Sequence, residues 1–215
     1  PPTSTGHHHQ GCDVMVGPNG DVHVVWANCT TNGQNSTEDS LGYARSTDGG
    51  VTWTYATNSA IDMHGQRAAN LFNGIRASGF PRVSIDRTSG PRRGWIYVTT
   101  AEKAGGGAPP QARDVGDIIV MRSSDNGLTW TRSIANQDPA GARQYMSAFR
   151  VDEFGGVNVL YYDLRNIPTG DSAEVYISRS IDGGNTWQDI KVSDHRFRPR
   201  RAGLHFGQCV GEGPD

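Results

Sequence analysis

Charged side chains that could bind or hydrolyse a ligand stand at the ends of short apolar runs in this 215-residue chain. Asp163 and Arg165 follow one such run in "YYDLRN", where a carboxylate can transfer a proton and a guanidinium can hold an anion. The alternative for this pair is a structural salt bridge at a strand end. Glu102 in "AEK" is a second candidate acid or base, with a solvated loop charge as its alternative. Two carboxyl groups facing each other at roughly 5–9.5 Å would permit glycoside hydrolysis.

Other side chains fall at equivalent places in the chain and extend this candidate site. Arg82 in "GFPRV" offers a planar guanidinium for bidentate binding of a carboxylate. Arg143 and His205 are further candidates for binding a substrate, and Tyr145 is a third candidate catalytic side chain. Each precedes or opens a predicted first strand, so we expect them to share one end of the fold.

The histidine run "HHH" (His7–His9) raises the question of a metal site. Neighbouring residues of an extended segment point in opposite directions, so at most His7 and His9 share a side. With His205 they would offer three imidazole ligands. A solvated terminus or the residue of a purification tag is the alternative, and we predict neither a metal nor another cofactor.

The elements that position these residues are marked by an octapeptide that occurs three times: "STDGGVTW" (Ser46–Trp53), "SSDNGLTW" (Ser123–Trp130) and "SIDGGNTW" (Ser180–Trp187). Three β-rich runs precede each copy and a fourth follows it, and no stretch shows a sustained helical period. Four-stranded antiparallel sheets repeated at this length are typical of β-propeller blades. We predict one all-β domain over 1–215, with blades at 11–56, 80–134 and 145–192 and the start of another at 205–215. The complete ring is expected to have six blades.

The octapeptide is predicted to close a hairpin rather than to catalyse. An aspartate can accept hydrogen bonds from backbone N–H groups of its own turn, a glycine can take positive φ, and a tryptophan can fold back over the turn. An active site needs one such group, whereas this one recurs three times. The residues given these structural roles are Ser46, Asp48, Gly50 and Trp53, Ser123, Asp125, Gly127 and Trp130, and Ser180, Asp182, Gly184 and Trp187.

The three copies resemble the Asp-box, or bacterial neuraminidase repeat, of sialidase-like β-propellers. The resemblance extends from about Gly11 to Val192 and implies carbohydrate recognition, with sialidase-like exo-glycosidase activity as its enzymatic form. In sialidases an arginine triad grips the substrate carboxylate, and its first member lies in a Phe/Tyr-Arg-Ile-Pro sequence. The "FPRV" around Arg82 departs from that order, and the full catalytic set is not found. The alternative function is a non-catalytic propeller that binds a protein or serves as an assembly or structural module.

In a four-stranded up-and-down blade, the turns between strands 1 and 2 and between strands 3 and 4 share one edge. The start of strand 1, the loops between strands 2 and 3 and the connections between blades share the other edge, which we call the mouth. We therefore expect the octapeptides on the edge away from any active site. The mouth is expected to carry the candidate residues, since binding residues commonly lie on loops that a rigid scaffold positions.

Composition narrows the partners and the location. A formal net charge of −2 argues against a nucleic-acid or membrane-surface protein, and no apolar run approaches the roughly 18 residues of a membrane span. The predicted partners are a glycan and further blades, supplied by the rest of the chain or by another chain. The predicted location is secreted, with the periplasm or cell surface included. The three cysteines, Cys12, Cys29 and Cys209, are odd in number, and for Cys12 and Cys29 a disulfide and two free thiols both stay open.

Overall fold

A computed structural model describes residues 8–29, 37–55, 61–66, 77–105, 110–167 and 172–199. Within these ranges the chain forms twelve strands and no helix. Sheet I contains β1 (His8–Val16), β2 (Val22–Cys29), β3 (Glu38–Ser46) and β4 (Thr54–Tyr55). Sheet II contains β5 (Arg82–Ile85), β6 (Ile96–Glu102), β7 (Asp117–Ser123) and β8 (Thr131–Ile134). Sheet III contains β9 (Gln144–Val151), β10 (Val157–Asp163), β11 (Glu174–Ser180) and β12 (Gln188–Lys191).

Each sheet is an antiparallel meander whose strands follow one another in chain order. The all-β class and the four-stranded repeat are therefore confirmed for the part of the chain that the structure describes. The predicted fourth unit, 205–215, lies outside the described residues, and the total number of blades stays a prediction. None of the described segments forms a helix that is long and apolar enough to cross a bilayer.

The alternation of side chains explains how the sheets stack. Along β10, Val157, Val159 and Tyr161 are buried, whereas Leu160 and Tyr162 are half-buried on the opposite face. This period of two is the natural geometry of a strand. Because both faces of a middle strand are largely apolar, each sheet can bury one face against each neighbour.

Two hydrophobic cores hold the three sheets together. The first joins sheets I and II and includes Val25, Leu41, Tyr43, Val98, Ile119 and Met121. The second joins sheets II and III and includes Tyr97, Ile118, Val120, Val157, Val159 and Tyr161. The first strands are also neighbours, because β5 contacts both β1 and β9. The sheets therefore stack side by side around their first strands.

The octapeptides form the hairpins that the sequence predicts. Ser123 Oγ donates to Asp125 Oδ1 at 2.8 Å and accepts from Gly127 N at 2.8 Å. Asp125 in turn accepts from the backbone N of Thr129 at 2.9 Å and from its hydroxyl at 2.5 Å, and Trp130 Nε1 donates to the Gly127 carbonyl at 3.0 Å. These bonds from Thr129 lower the pKa of Asp125 to about 2. The motif is a local clasp whose charged aspartate is stabilised by its own turn.

In the other two copies, too, the serine hydroxyl and the threonine hydroxyl both donate to the motif aspartate. The three motif glycines, Gly50, Gly127 and Gly184, all have positive φ, as expected. In the third copy, Trp187 Nε1 donates to Ser133 Oγ on the neighbouring sheet instead of to its own turn. The motif tryptophan therefore also contributes to the contact between sheets.

Candidate functional site

The mouth edge is the edge at which β2, β6 and β10 end and β3, β7 and β11 begin. Acidic residues occupy this edge in matching register, since Glu102 pairs with Asp117 and Asp163 pairs with Glu174. Glu38 begins β3 at the same level, opposite Cys29. All five acidic side chains are buried. A buried carboxylate needs hydrogen bonds or a cation, so the partners of these groups decide what the edge can do.

Glu102 is fully enclosed and its oxygens are occupied. Oε2 accepts from Arg132 Nη2 at 2.8 Å and from the backbone N of His64 at 3.1 Å, while Oε1 accepts from Thr100 Oγ1 at 2.8 Å. Gly65 also forms a bridge with Glu102. Glu102 thus holds the connection between sheets I and II against the end of β6, and its ion pair with Arg132 is structural.

Asp163 forms a second enclosed ion pair, in sheet III. Its Oδ2 accepts from Arg165 Nη2 at 2.7 Å and from Arg165 Nε at 2.9 Å, and its Oδ1 accepts from the backbone N of Arg165 at 2.6 Å. The same Nη2 of Arg165 also reaches Asp189 Oδ2 at 2.7 Å, and the guanidinium stacks over Tyr176 at 4.1 Å from the ring centroid. The structure therefore has the salt bridge that the sequence left as the alternative for this pair.

The protonation equilibria of this pair reflect its enclosure. Burial raises the pKa of Asp163, against the hydrogen bonds from Arg165 that lower it. Burial works to lower the pKa of Arg165, and the bonds from Asp163 and Asp189 raise it above the ordinary value. Arg165 therefore stays charged, and its guanidinium is already committed to two carboxylates. It has little capacity left for a substrate anion.

A network of polar side chains continues between sheets II and III. Asn136 Nδ2 donates to Asp117 Oδ1 at 2.7 Å, Asp138 Oδ1 at 2.6 Å and Gln144 Oε1 at 3.0 Å. Gln144 Nε2 donates to Asp138 at 3.1 Å and to Asp163 at 3.2 Å, and Arg113 pairs with Asp117 at 2.6 Å. The candidate Asp163 is thus one member of a buried structural network.

Gln66 joins the mouth edges of the sheets and was missed by sequence reasoning. Its Nε2 donates to the carbonyl of Gln144 at 2.7 Å and to the carbonyl of Glu102 at 3.4 Å, and the side chain is fully buried. Its Oε1 has no hydrogen-bond partner among the described residues. The preceding residue, Gly65, donates its N–H to the Glu38 carbonyl at 2.9 Å. This short connection therefore ties sheets I, II and III together at the mouth edge.

Arg82 differs from the other catalytic and substrate-binding candidates of the described ranges because its side chain is exposed. It opens β5 and pairs with Thr99 on β6, near the mouth edge of sheet II. No ion pair involving Arg82 is found within the described part of the chain. Its guanidinium is accordingly available to an anion from solution.

Tyr145 and Arg143 lie at the start of the first strand of sheet III. Tyr145 is fully buried, packs on the Tyr162 ring at 5.3 Å between centroids, and has its pKa raised by burial. A reacting role would require this hydroxyl to reach a substrate from inside the core. Arg143 is half-buried, and its carbonyl accepts from the backbone N of Leu164 at 3.0 Å. Tyr145 pairs with Tyr162 of β10, the residue that precedes Asp163.

The remaining candidates give no metal site within the described residues. His7 and His205 lie outside those residues, and His9 is exposed beside the Trp26 ring at 6.0 Å between centroids. No cluster of three or more metal-binding side chains is found in the described ranges. Cys12 is exposed and Cys29 is buried, and the two are not joined, so the Cys12–Cys29 disulfide alternative is not formed.

Comparison with known proteins supports the fold. No family model and no curated protein sequence matches the chain. Among solved structures, it is similar to an α-L-arabinofuranosidase of Fusarium graminearum in complex with arabinobiose, at 15% identity and a TM-score of 0.56, over 89% of this chain and 51% of that one. An α-L-arabinanase of Penicillium chrysogenum, also bound to arabinobiose, matches at 18% identity and a TM-score of 0.53, over 87% and 50%.

A Dyadobacter fermentans protein of unknown function matches at 18% identity and a TM-score of 0.55, over 85% of this chain and 50% of that one. This chain thus spans about half the length of the solved structures that it matches. At these identities the likeness concerns the fold. The described sheets share the propeller-type all-β architecture of these solved structures.

Proposed function

We propose that the chain recognises a carbohydrate at its mouth edge, as part of an Asp-box, sialidase-like propeller that acts outside the cytoplasm. The fold is shared with an arabinofuranosidase and an arabinanase that were solved with arabinobiose bound. The observation that carries the proposal is the contrast among the charges of the mouth edge. Carboxylates there are buried and paired, whereas Arg82 is exposed and unpaired among the described residues.

The class of sugar follows from that exposed cation. A guanidinium that no described carboxylate neutralises favours a ligand with a carboxylate of its own, which it can bind through two parallel hydrogen bonds. Lys103, one residue beyond the end of β6, adds a second cation at the same edge. We therefore infer an acidic sugar, such as a sialic or uronic acid, as the preferred ligand over a neutral arabinoside.

Hydrolysis by Asp163 and Glu102 is the extension of this proposal, with Tyr145 as a further group. Two carboxyl groups of a glycosidase must reach the scissile bond from opposite sides. Both carboxylates here are fully buried, and each is held by its own arginine. That enclosure favours a second candidate function, a non-catalytic propeller that binds a ligand or a protein partner or serves as an assembly module.

Calorimetric titration with a sialic-acid trisaccharide and with an arabino-oligosaccharide tests the ligand. We expect the acidic sugar to bind more tightly and Arg82→Gln to weaken that binding by about 10-fold or more, the loss of one charge-assisted contact. Arg87→Gln is the matched control, since Arg87 is also exposed but follows β5 at the hairpin edge. Equal binding by wild type and Arg82→Gln would refute the assignment of Arg82.

Fluorogenic glycosides separate the enzyme from the binding module. If Asp163 is catalytic, Asp163→Asn abolishes turnover while leaving sugar binding intact. Turnover that is equal in wild type and Asp163→Asn removes Asp163 from catalysis. No turnover by wild type on any glycoside, together with retained binding of the acidic sugar, establishes the non-catalytic function.

A further inference from the structure

The outer faces of the two terminal sheets are apolar and uncovered by the described residues. On sheet I the side chain of Val14 is 58% exposed, and Val16 is also exposed. On sheet III the side chain of Ile190 is 46% exposed, and Val192 is also exposed. Contiguous apolar side chains on a sheet face usually mark a contact with another layer of protein.

Register shows that the face of sheet I repeats a face that is buried in sheet II. The first hairpin of each sheet closes with the same pairing, Val16 with Val22 in sheet I and Ile85 with Ile96 in sheet II. Counting from this pairing makes Val14 equivalent to Val83 and Val24 equivalent to Val98. The four sheet II residues, Val83, Ile85, Ile96 and Val98, all belong to the core between sheets I and II. Sheet I therefore presents an uncovered copy of the surface by which sheet II packs on its predecessor.

Sheet III, in turn, has an uncovered face on the side where a following sheet would pack. In sheets I and II, the face turned towards the next sheet in the chain receives the motif tryptophan of that next sheet. Tyr43 contacts Trp130 at 5.6 Å between ring centroids, and Ser133 accepts a hydrogen bond from Trp187 at 3.2 Å. Counted from the motif aspartates, Ile190 of sheet III is the equivalent of Ser133. Sheet III therefore has an uncovered surface that fits the motif tryptophan of a further sheet.

Trp53 is the motif tryptophan without such a preceding sheet. Trp130 and Trp187 each pack against the core formed with the sheet before them. Trp53 belongs to sheet I, whose preceding face is the uncovered one that carries Val14. The two uncovered faces are thus complementary in the way that the faces between sheets I and II and between sheets II and III are. Sheet I offers a tryptophan and valines, and sheet III offers the apolar outer strands that would receive them.

We propose that a second copy of this chain covers both faces, with sheet III of each copy packed on sheet I of the other. Two such contacts, related by a twofold axis, form a closed ring and leave no sheet face open. The new contact continues the established stacking of sheet I on II and of II on III. This inference does not rest on carbohydrate binding.

Light scattering coupled to size exclusion tests the assembly. We expect wild type at twice the 23.2 kDa chain mass. Val14→Asp and Ile190→Asp place a charge on one face or the other and are expected to weaken dimerisation at least roughly 100-fold, because a buried unpaired charge is costly. The control is Val51→Asp, whose side chain is 81% exposed in the turn of sheet I and which should leave the dimer intact.

Val14 and Ile190 are both exposed in a single copy of the chain, so the far-UV circular dichroism spectrum of each variant should match that of wild type. A monomeric wild type overturns the proposal and assigns the faces to sheets elsewhere in a longer polypeptide. A dimer that survives both face variants, or an open series of larger assemblies, overturns it as well. Loss of the dimer in both face variants but not in Val51→Asp supports it.

Discussion

Replacing Arg165 by methionine should destabilise the protein strongly at neutral pH. The substitution keeps the apolar stem but removes the cation that bridges Asp163 and Asp189 at 2.7 Å each. The Asp163 side chain is fully buried and that of Asp189 nearly so. Removing one partner of a buried ion pair leaves an uncompensated charge, which typically costs about 3–5 kcal/mol. The lost stacking on Tyr176 adds about 0.5–2 kcal/mol.

Two features of the site lead us to expect a loss at the lower end of that range, about 3 kcal/mol of the free energy of unfolding. Gln144 still donates a hydrogen bond to Asp163, and Asp163 can take up a proton, since burial already raises its pKa. A carboxyl group with a raised folded-state pKa favours the folded state below its unfolded pKa, and that contribution is lost as the pH rises through the folded pKa. The cost of Arg165→Met should therefore shrink as the pH falls.

Urea unfolding followed by tryptophan fluorescence measures this loss. The matched control is Arg179→Met, because Arg179 pairs with Asp152 at 3.3 Å in the same sheet but is 42% exposed. An exposed pair contributes about 0–1 kcal/mol. The double variant Arg165→Met, Asp163→Asn should lose less than the sum of the single variants. A loss below about 1 kcal/mol, or strict additivity in the double variant, would refute the reasoning.

Two further predictions concern the hairpin motif. Gly127→Ala should lower the free energy of unfolding in urea more than Gly49→Ala. Both glycines have positive φ, but an added Cβ at Gly127 would lie 2.2 Å from the Tyr43 ring, whereas an added Cβ at Gly49 would have no atom within 4 Å. We expect about 1–2 kcal/mol for Gly49→Ala and about 1–3 kcal/mol more for Gly127→Ala, and equal costs would contradict the packing of Tyr43 on that turn. Asp125, whose pKa is about 2, should stabilise the fold above pH 4 and lose that contribution as the pH falls towards 2. The melting-temperature difference between wild type and Asp125→Asn should therefore narrow over this range, and a constant difference would contradict the assigned hydrogen bonds.

The features that the sequence predicts well are those built from neighbouring residues. Ser123, Asp125 and Gly127 bond to one another across four positions at most, so the octapeptide contains its whole hairpin. Alternation within β10 likewise identifies which side chains face a core, because strand geometry has a fixed period of two. Three such units in one chain make the four-stranded repeat readable without any knowledge of tertiary contacts.

The mouth edge was less predictable because its partners are distant in the chain. Glu102 is neutralised by Arg132, thirty positions later, and Gln66 bonds to Gln144 across seventy-eight. A comparison of the repeats could have flagged Arg132, which occupies the place of Asp189 after its motif and is likewise charged. No local pattern reveals which charge meets which, since sheet packing decides that. The exposure of Arg82 was similarly a matter of packing.

The most direct test of carbohydrate recognition at the mouth edge is a chemical-shift titration of the isotope-labelled protein with an acidic monosaccharide. We expect the amide signals of Arg82 and Lys103 to move with ligand concentration, while those of the octapeptide turns, such as Thr129, stay fixed. The same titration on Arg82→Gln should show smaller shifts at Lys103. Shifts confined to the octapeptide turns, or none at a saturating sugar concentration, would contradict the claim.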